Sequence, residues 1–322
     1  MLTQGIKESS VADLAEDVRA GLSKKGQKEL PSKYFYDDIG TTLFEVISLL
    51  PEYGLTRADE RLLREHADEM VVRIPSPVVV AELGSGNAHK TRWLLEALCR
   101  RQATTYYPIE ISRSALASAR MHLQHIDCIS IIGFEKEYLE GLLAVAALRP
   151  PGQHILVLLL GGTIGNFDRP AGIHFLRQLR ENLTLGDALL LGTDLEKPVS
   201  QLIHAYVDPL GVTSAFNRNL LARINRELHA NFNLNHFEHV VRYKPAERRI
   251  EMHLRSTLPQ TVNIPEAGLR VNFRENETIW TESSHKYSVA EVAQMARQAG
   301  FRCDAQWVDA EWPFAESLLV VE

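Results

Sequence analysis

The chain has 322 residues, with 35 Lys and Arg against 41 Asp and Glu and a formal net charge of −6. That length suffices for one large domain or two smaller ones, burying roughly three quarters of the unfolded surface. No apolar run approaches the ~18 residues of a membrane span, the start MLTQGIKESSVADLAEDV lacks the basic and apolar blocks of a signal peptide, and the absence of a Lys/Arg run speaks against nucleic acid as main partner.

Cys99, Cys128 and Cys303 are scattered and odd in number. They argue against a disulfide framework or a thiolate metal site and for a reducing cytoplasm. The twelve histidines show no metal-ligand spacing, so no metal is expected.

Residues 8–23 predict a short amphipathic helix, followed by the aromatic-rich KYFYDDIGTTLFEVISLLPEYGLTR. From Thr56, read as an N-cap, a helix with Leu62, Leu63 and Met70 on one face begins. The apolar run 78–83 then predicts a buried parallel strand. Helix 89–101, strand 105–111, helix 113–124, strand 128–133, helix 137–147, strand 154–160, helix 170–183 and strand 187–193 continue the alternation. Such a series implies a doubly wound α/β sheet with right-handed crossovers. It is interrupted over 197–286, where a helix at 204–228 and alternating stretches such as FEHVVRY, RIEMHLRS and LRVNF suit antiparallel strands. A helix from Ser288 and strands near 301–308 and 315–321 complete the sheet.

Three clusters carry chemistry. Glu82-Leu83-Gly84-Ser85-Gly86 ends the first sheet strand, and Glu110 ends the next, 26 residues after Gly84. Glycines there admit close approach of a ligand, and an acid at that place takes a ribose hydroxyl pair. A nicotinamide fingerprint wants a third Gly where this chain has His89. S-adenosylmethionine, which has no phosphate, suits the loop better. Gly161-Gly162-Thr163-Ile164-Gly165-Asn166 follows the most apolar strand, where a substrate meets the reactive end of a cofactor; Asn166 can donate to a carboxylate and accept from an amine. Thr281-Glu282-Ser283-Ser284-His285-Lys286 offers Glu282 and Ser284 for a cationic or imidazole-bearing ligand. The competing reading there is a capping box, Ser288 with Glu291, which leaves Glu282 and Ser284 unexplained. Tyr34, Phe35, Tyr36, Phe44 and Tyr53 are either core or an aromatic cage for an amine that becomes quaternary. Ser85 lacks the nucleophile elbow of a hydrolase.

Taken together and in order, these segments resemble one family, the histidine-specific S-adenosylmethionine (SAM)-dependent methyltransferases, whose type member makes hercynine, the α-N-trimethylated histidine of ergothioneine biosynthesis. The likeness runs from about residue 12 to the C-terminus through YFYDDIGTTLFE, LPEYGLTR, ELGSGNAHKTRWLL, GGTIGNF, LLLGTDLEKP, AYVDPLGVTSAFNRNLL, NRELHANF, RIEMHLRS and TESSHKYS. It implies a Rossmann-like class I methyltransferase sheet over 60–196 plus 287–322, with an inserted α+β substrate-binding domain from 1–59 plus 197–286.

The resemblance also assigns residues. Gly84, Lys90 and Glu110 match the cofactor positions, with Tyr36 beside them. The family usually has Asp where this chain has Glu110, and its adenine-contacting Asp-Phe pair falls on Phe134-Glu135. The substrate carboxylate goes to Asn166 and Tyr206, the imidazole to Glu282 and Ser284, with Met252 and Phe44 packing nearby and the Gly161 backbone orienting the amine. Tyr36 and Tyr53 are the catalytic candidates beside the amine. Gly54-Leu55 replaces the more usual Tyr-Pro after Tyr53. The expected function is α-N-trimethylation of L-histidine by SAM in a cytoplasmic monomer, with small molecules rather than nucleic acid or membrane as partners. The alternative is the same fold and cofactor acting on tryptophan, tyrosine or a histidine ring nitrogen.

Overall fold

The computed structural model describes residues 11–322, which form two compact units: Gly54–Lys197 with His285–Glu322, and the chain up to Tyr53 with Pro198–Ser284. The joins at 53/54, 197/198 and 284/285 compare with 59/60, 196/197 and 286/287 drawn from the sequence.

The larger unit is built on one seven-stranded sheet. In chain order its strands are β1 (Val78–Leu83), β2 (Thr104–Ile109), β3 (Ile129–Ile131), β4 (His154–Leu159), β5 (Ala188–Asp194), β6 (Phe301–Val308) and β7 (Phe314–Val321), arranged β6-β7-β5-β4-β1-β2-β3. The first five are parallel, and β7 runs antiparallel between β5 and β6. Every residue of β1 and β5 is buried, which is why these strands read as unbroken apolar runs rather than alternating ones. One core joins the sheet to helices Tyr138–Leu148, Arg169–Glu181 and Val289–Gln298 through Leu142, Leu176 and Ala296. This is the Rossmann-like α/β architecture expected from the alternation.

Local chemistry sets several boundaries. Asp168 caps helix Arg169–Glu181 by accepting from the Ala171 N–H at 2.8 Å, a contact worth ~1 kcal/mol. The expected capping box forms: the Ser288 hydroxyl accepts from Glu291 N–H at 3.2 Å and the Glu291 carboxylate from Ser288 N–H at 3.3 Å. The expected cap at Thr56 does not. Helix Leu55–Val72 starts one residue earlier, behind Gly54, which has no side chain because a Cβ there would collide with the Trp312 ring. At the end of β5, Asp194 receives Lys197, Lys286 at 2.8 Å and the Trp312 Nε1–H at 3.2 Å. One buried carboxylate thus binds a lysine beside each of the 197/198 and 284/285 joins.

The structure corrects the cysteine reading. Cys99, at the end of helix Arg92–Cys99, and Cys128, just before β3, are joined in a disulfide with Cα atoms 5.9 Å apart, and Cys303 is the free thiol. The crossover β2–helix–β3 brings together two residues 29 apart in sequence, a proximity that spacing alone does not display.

The smaller unit has a four-stranded sheet in the order Lys28–Glu29, Thr278–His285, Arg249–Ser256, Phe237–Lys244, of which the last residue, His285, falls in the larger unit. A separate antiparallel pair, Gln260–Ile264 with Leu269–Phe273, accompanies it. Its first helix is Val11–Leu22; residues 8–10 of the expected helix lie outside the described residues. The single helix expected at 204–228 is two, Val199–His204 and Val212–Glu227. Pro209 and Gly211, at φ +71°, break the path between them, and Asp208 restarts it by accepting the N–H groups of Val212 and Thr213, both at 2.8 Å. Those contacts hold the Asp208 carboxyl below its ordinary value against the opposing effect of burial.

Candidate functional site

In the larger unit the candidate residues gather at the carboxyl ends of β1, β2 and β4, where the order of strands reverses and doubly wound sheets bind ligands. Gly84 and Gly86 take φ values of +73° and +52°, which favour glycine. A Cβ on Gly84 would come within 2.9 Å of the Tyr138 hydroxyl, whereas nothing stands within 4 Å of where a Gly86 Cβ would be. The loop is therefore held on one side and open on the other. Glu110 braces it: its carboxylate accepts from Gly86 N–H at 3.1 Å, Ile111 N–H at 2.8 Å and Ser112 N–H at 3.2 Å. Burial raises the Glu110 carboxyl above the usual range, and those three N–H groups oppose the rise. A carboxylate has about four acceptor sites, so one remains for a sugar hydroxyl. That remaining acceptor and the open face of Gly86 fit the sugar of a nucleoside.

Below this loop Glu82 is not a ligand candidate. It is buried and accepts from Thr91 Oγ1 at 2.8 Å and from the Tyr106 hydroxyl. Burial pushes its carboxyl up to about 7. Lys90, expected at the cofactor, and Gly161, expected at the substrate amine, are brought together by a residue sequence reasoning missed. Asp59, fully buried on helix Leu55–Val72, pairs with Lys90 Nζ and accepts from Gly161 N–H at 2.9 Å through the same oxygen. Burial works against the Lys90 charge, but the Asp59 carboxylate outweighs it and raises Lys90 above its ordinary value.

Phe134 and Glu135 follow β3. Phe134 stacks at 6.0 Å on Tyr107 and its carbonyl accepts from Glu110 N–H at 3.0 Å. Glu135 receives both its contacts from Arg113 Nε at 2.7 Å. Asn166 ends a short 3-10 turn, Thr163–Asn166, and its side chain is exposed. That turn is fixed from behind by His285 Nδ1, donating to Gly165 O at 3.0 Å, and by the Tyr287 hydroxyl, donating to Ile164 O at 3.2 Å.

In the smaller unit Tyr36, Phe44, Tyr53 and Tyr206 form a row of rings, each edge-on to the next at 5.7, 6.3 and 6.3 Å. Such pairs are each worth ~1 kcal/mol beyond the area they bury. Phe216, unnoticed in the sequence, packs against Tyr36 at 5.9 Å and Phe44 at 6.0 Å. Two of the five cage candidates belong to the core instead: Phe35 stacks on Phe216 at 4.6 Å, and the Tyr34 hydroxyl donates to Asp17 at 2.8 Å. Burial and that hydrogen bond push the Tyr34 hydroxyl up to about 12. The motif DDIG explains itself here. Asp37 caps helix Asp38–Leu49 through Gly40 N–H at 2.7 Å, and a Cβ on Gly40 would collide with Phe35 O. Asp37 to Gly40 is N-cap spacing, a signal that was available in the sequence.

Glu282 and Ser284 lie two apart on strand Thr278–His285 and so share one face of it. Ser284 is buried and Glu282 partly so. Met252, 2% exposed, is on the paired strand Arg249–Ser256. The structure thus places Tyr36, Phe44, Tyr53, Tyr206, Met252, Glu282 and Ser284 in one unit, and Gly84, Lys90, Glu110, Phe134, Glu135, Gly161 and Asn166 in the other.

The model of a family described as histidine-specific, SAM-dependent methyltransferases matches residues 14–321. A histidine N-alpha-methyltransferase of Mycolicibacterium smegmatis is 40% identical over 318 residues, covering 97% of this chain and 96% of that protein. One of Mycobacterium tuberculosis is 39% identical over 310 residues, 95% of this chain and 94% of that one. Ergothioneine biosynthesis protein 1 of Neurospora crassa is 35% identical over 206 residues, 63% of this chain and 23% of that protein. With the family's pattern matched along almost its whole length, on a doubly wound sheet whose glycine loop and acid suit a nucleoside, this chain belongs to the histidine-specific, SAM-dependent methyltransferases.

Proposed function

We propose that this enzyme trimethylates the α-amino nitrogen of L-histidine to give hercynine, the first step of ergothioneine biosynthesis. The observation that carries the reading is the placement, in one unit, of the row Tyr36–Phe44–Tyr53–Tyr206 together with Glu282 and Ser284 on one strand face. Aromatic faces tolerate a head that becomes permanently cationic, and an acid with a hydroxyl suits the two nitrogens of an imidazole. The names of the mycobacterial relatives support the same substrate.

In this reading Gly84, Lys90, Glu110 and the Phe134-Glu135 segment hold SAM, with Tyr36 alongside. SAM supplies an electrophilic methyl group on a sulfonium. The residues of the chain have to present a neutral amine in line with it. A free α-amine has a pKa near ~8, so it sheds its proton with modest help. Taking the amine out of water beside Tyr36 and Tyr53 supplies that help, because burial disfavours the ammonium form. Tyr206 and Asn166 bind the carboxylate, Gly161 orients the amine through its backbone, Met252 and Phe44 pack on the ring, and Glu282 with Ser284 takes the imidazole.

The test is Glu282→Ala, assayed for both ligands. The expected result is a KM for histidine raised at least tenfold with SAM affinity unchanged. A variant that loses SAM binding instead, with its histidine KM intact, refutes the assignment.

A further inference from the structure

Beneath the substrate residues of the smaller unit runs a buried chain of hydrogen bonds made by three side chains so far without a role. Asn217, fully buried on helix Val212–Glu227, donates through Nδ2 to His239 Nδ1 at 2.8 Å and to His253 O at 3.1 Å. Its Oδ1 accepts from the Thr281 hydroxyl at 2.8 Å, and that hydroxyl also lies 3.0 Å from Met252 O. At the other end, His239 Nε2 lies 2.8 Å from Tyr206 O.

Backbone carbonyls fix every role in this chain, since a carbonyl only accepts. Tyr206 O requires the proton on His239 Nε2, which leaves Nδ1 as the acceptor for Asn217. His253 O requires the amide nitrogen of Asn217 on its side, which turns Oδ1 toward Thr281. The Thr281 proton then spans Asn217 Oδ1 and Met252 O. No other arrangement satisfies the three carbonyls, and a buried polar group left unpaired is costly. The three segments so tied carry Tyr206, Met252 and, one residue beyond Thr281, Glu282.

We propose that Asn217, His239 and Thr281 are positioning residues for the amino-acid substrate, a relay that fixes the Tyr206 loop against the strands bearing Met252 and Glu282. The inference rests on the substrate roles proposed above. None of the three need touch the ligand. Each acts by holding the spacing between the group that takes the carboxylate and the group that takes the imidazole.

The experiment compares Thr281→Val with Thr281→Ser. Valine keeps the shape and removes the hydroxyl, leaving Asn217 Oδ1 and Met252 O without their buried donor; serine keeps the donor. Loss of one such bond changes affinity about tenfold. The expected result is a histidine KM raised about tenfold in Thr281→Val, with kcat within twofold and SAM affinity unchanged. Thr281→Ser restores the KM. Asn217→Leu, which cuts both branches, raises it further. A folded Thr281→Val with unchanged KM overturns the proposal. Equal losses in SAM binding and kcat that serine fails to restore also overturn it, because they mark a purely structural role. If the wild type methylates a different amino acid, the histidine reading falls but the same KM comparison with that amino acid still decides the relay. A wild type that methylates none refutes both.

Discussion

The carboxylate of Asp59 accepts the backbone N–H of Gly161 at 2.9 Å, across 102 residues of chain. The same oxygen pairs with Lys90, so one buried acid from a helix holds both the loop after β4 and the lysine following the glycine loop after β1. Lys90 is assigned to the cofactor and Gly161 to the substrate amine, so Asp59 joins the two assignments although it shows in no motif.

Asp59→Asn keeps one oxygen able to accept from Gly161 N–H but removes the negative charge that pairs with Lys90, so the ion pair is lost. SAM affinity falls about tenfold or more, the melting temperature drops, and the histidine KM changes far less. Calorimetric titration with S-adenosylhomocysteine measures the first effect. An unchanged affinity in a folded variant would show that the pairing is incidental to the cofactor.

A second prediction concerns pH and two buried carboxyls of the larger unit. Neither oxygen of Glu316 has a hydrogen-bond partner among the described residues, and burial, reinforced by the charge of Asp59, holds its carboxyl well above the usual range. Glu82 is pushed up to about 7. An unfolded Glu titrates near ~4.3. Above that value the folded protein binds more protons than the unfolded chain, so its stability falls as pH rises. The contribution of these two groups is complete below about 4.3 and disappears as pH passes through the folded values. These two groups therefore pull the melting temperature down as pH rises from 5.5 to 8.5, while His239, His253 and Lys197, held below their ordinary values by burial, act the other way. Glu316→Gln, a neutral analogue at every pH, gains about 3 °C on the native protein at the alkaline end. Parallel curves for the two proteins would contradict this.

The disulfide gives a third. Titration of the denatured, unreduced chain with a thiol reagent should find one thiol, Cys303, and after reduction three. Opening a loop closed across 29 residues should cost about 3.6 kcal/mol of stability. Three thiols in the unreduced chain would show that the pair is not formed in solution.

How much of this was readable in advance depended on whether the cause was local. The strands expected at 78–83 and 187–193, found at Val78–Leu83 and Ala188–Asp194, stood out because both faces are buried and the run is largely apolar. The box at Ser288 stood out because capping is a matter of three residues. The break at 205–211 was missed although Asp208, Pro209 and Gly211 announce it, since the flanking apolar spacing suits one long helix. Asp59, Phe216, Asn217 and the Cys99–Cys128 pair could not be read, because each owes its role to a partner far along the chain. The aromatic row was half legible: five rings were noticed, two proved to be core, and Tyr206 and Phe216 completed the cluster from the inserted segment.

The most direct measurement is to incubate the purified chain with SAM and a mixture of the common amino acids and read methyl additions by mass spectrometry, with fragmentation to place them. The account predicts histidine carrying three methyl groups on its α-nitrogen and no other product of comparable yield. Methyl groups on a ring nitrogen, or on tryptophan or tyrosine in place of histidine, would contradict it.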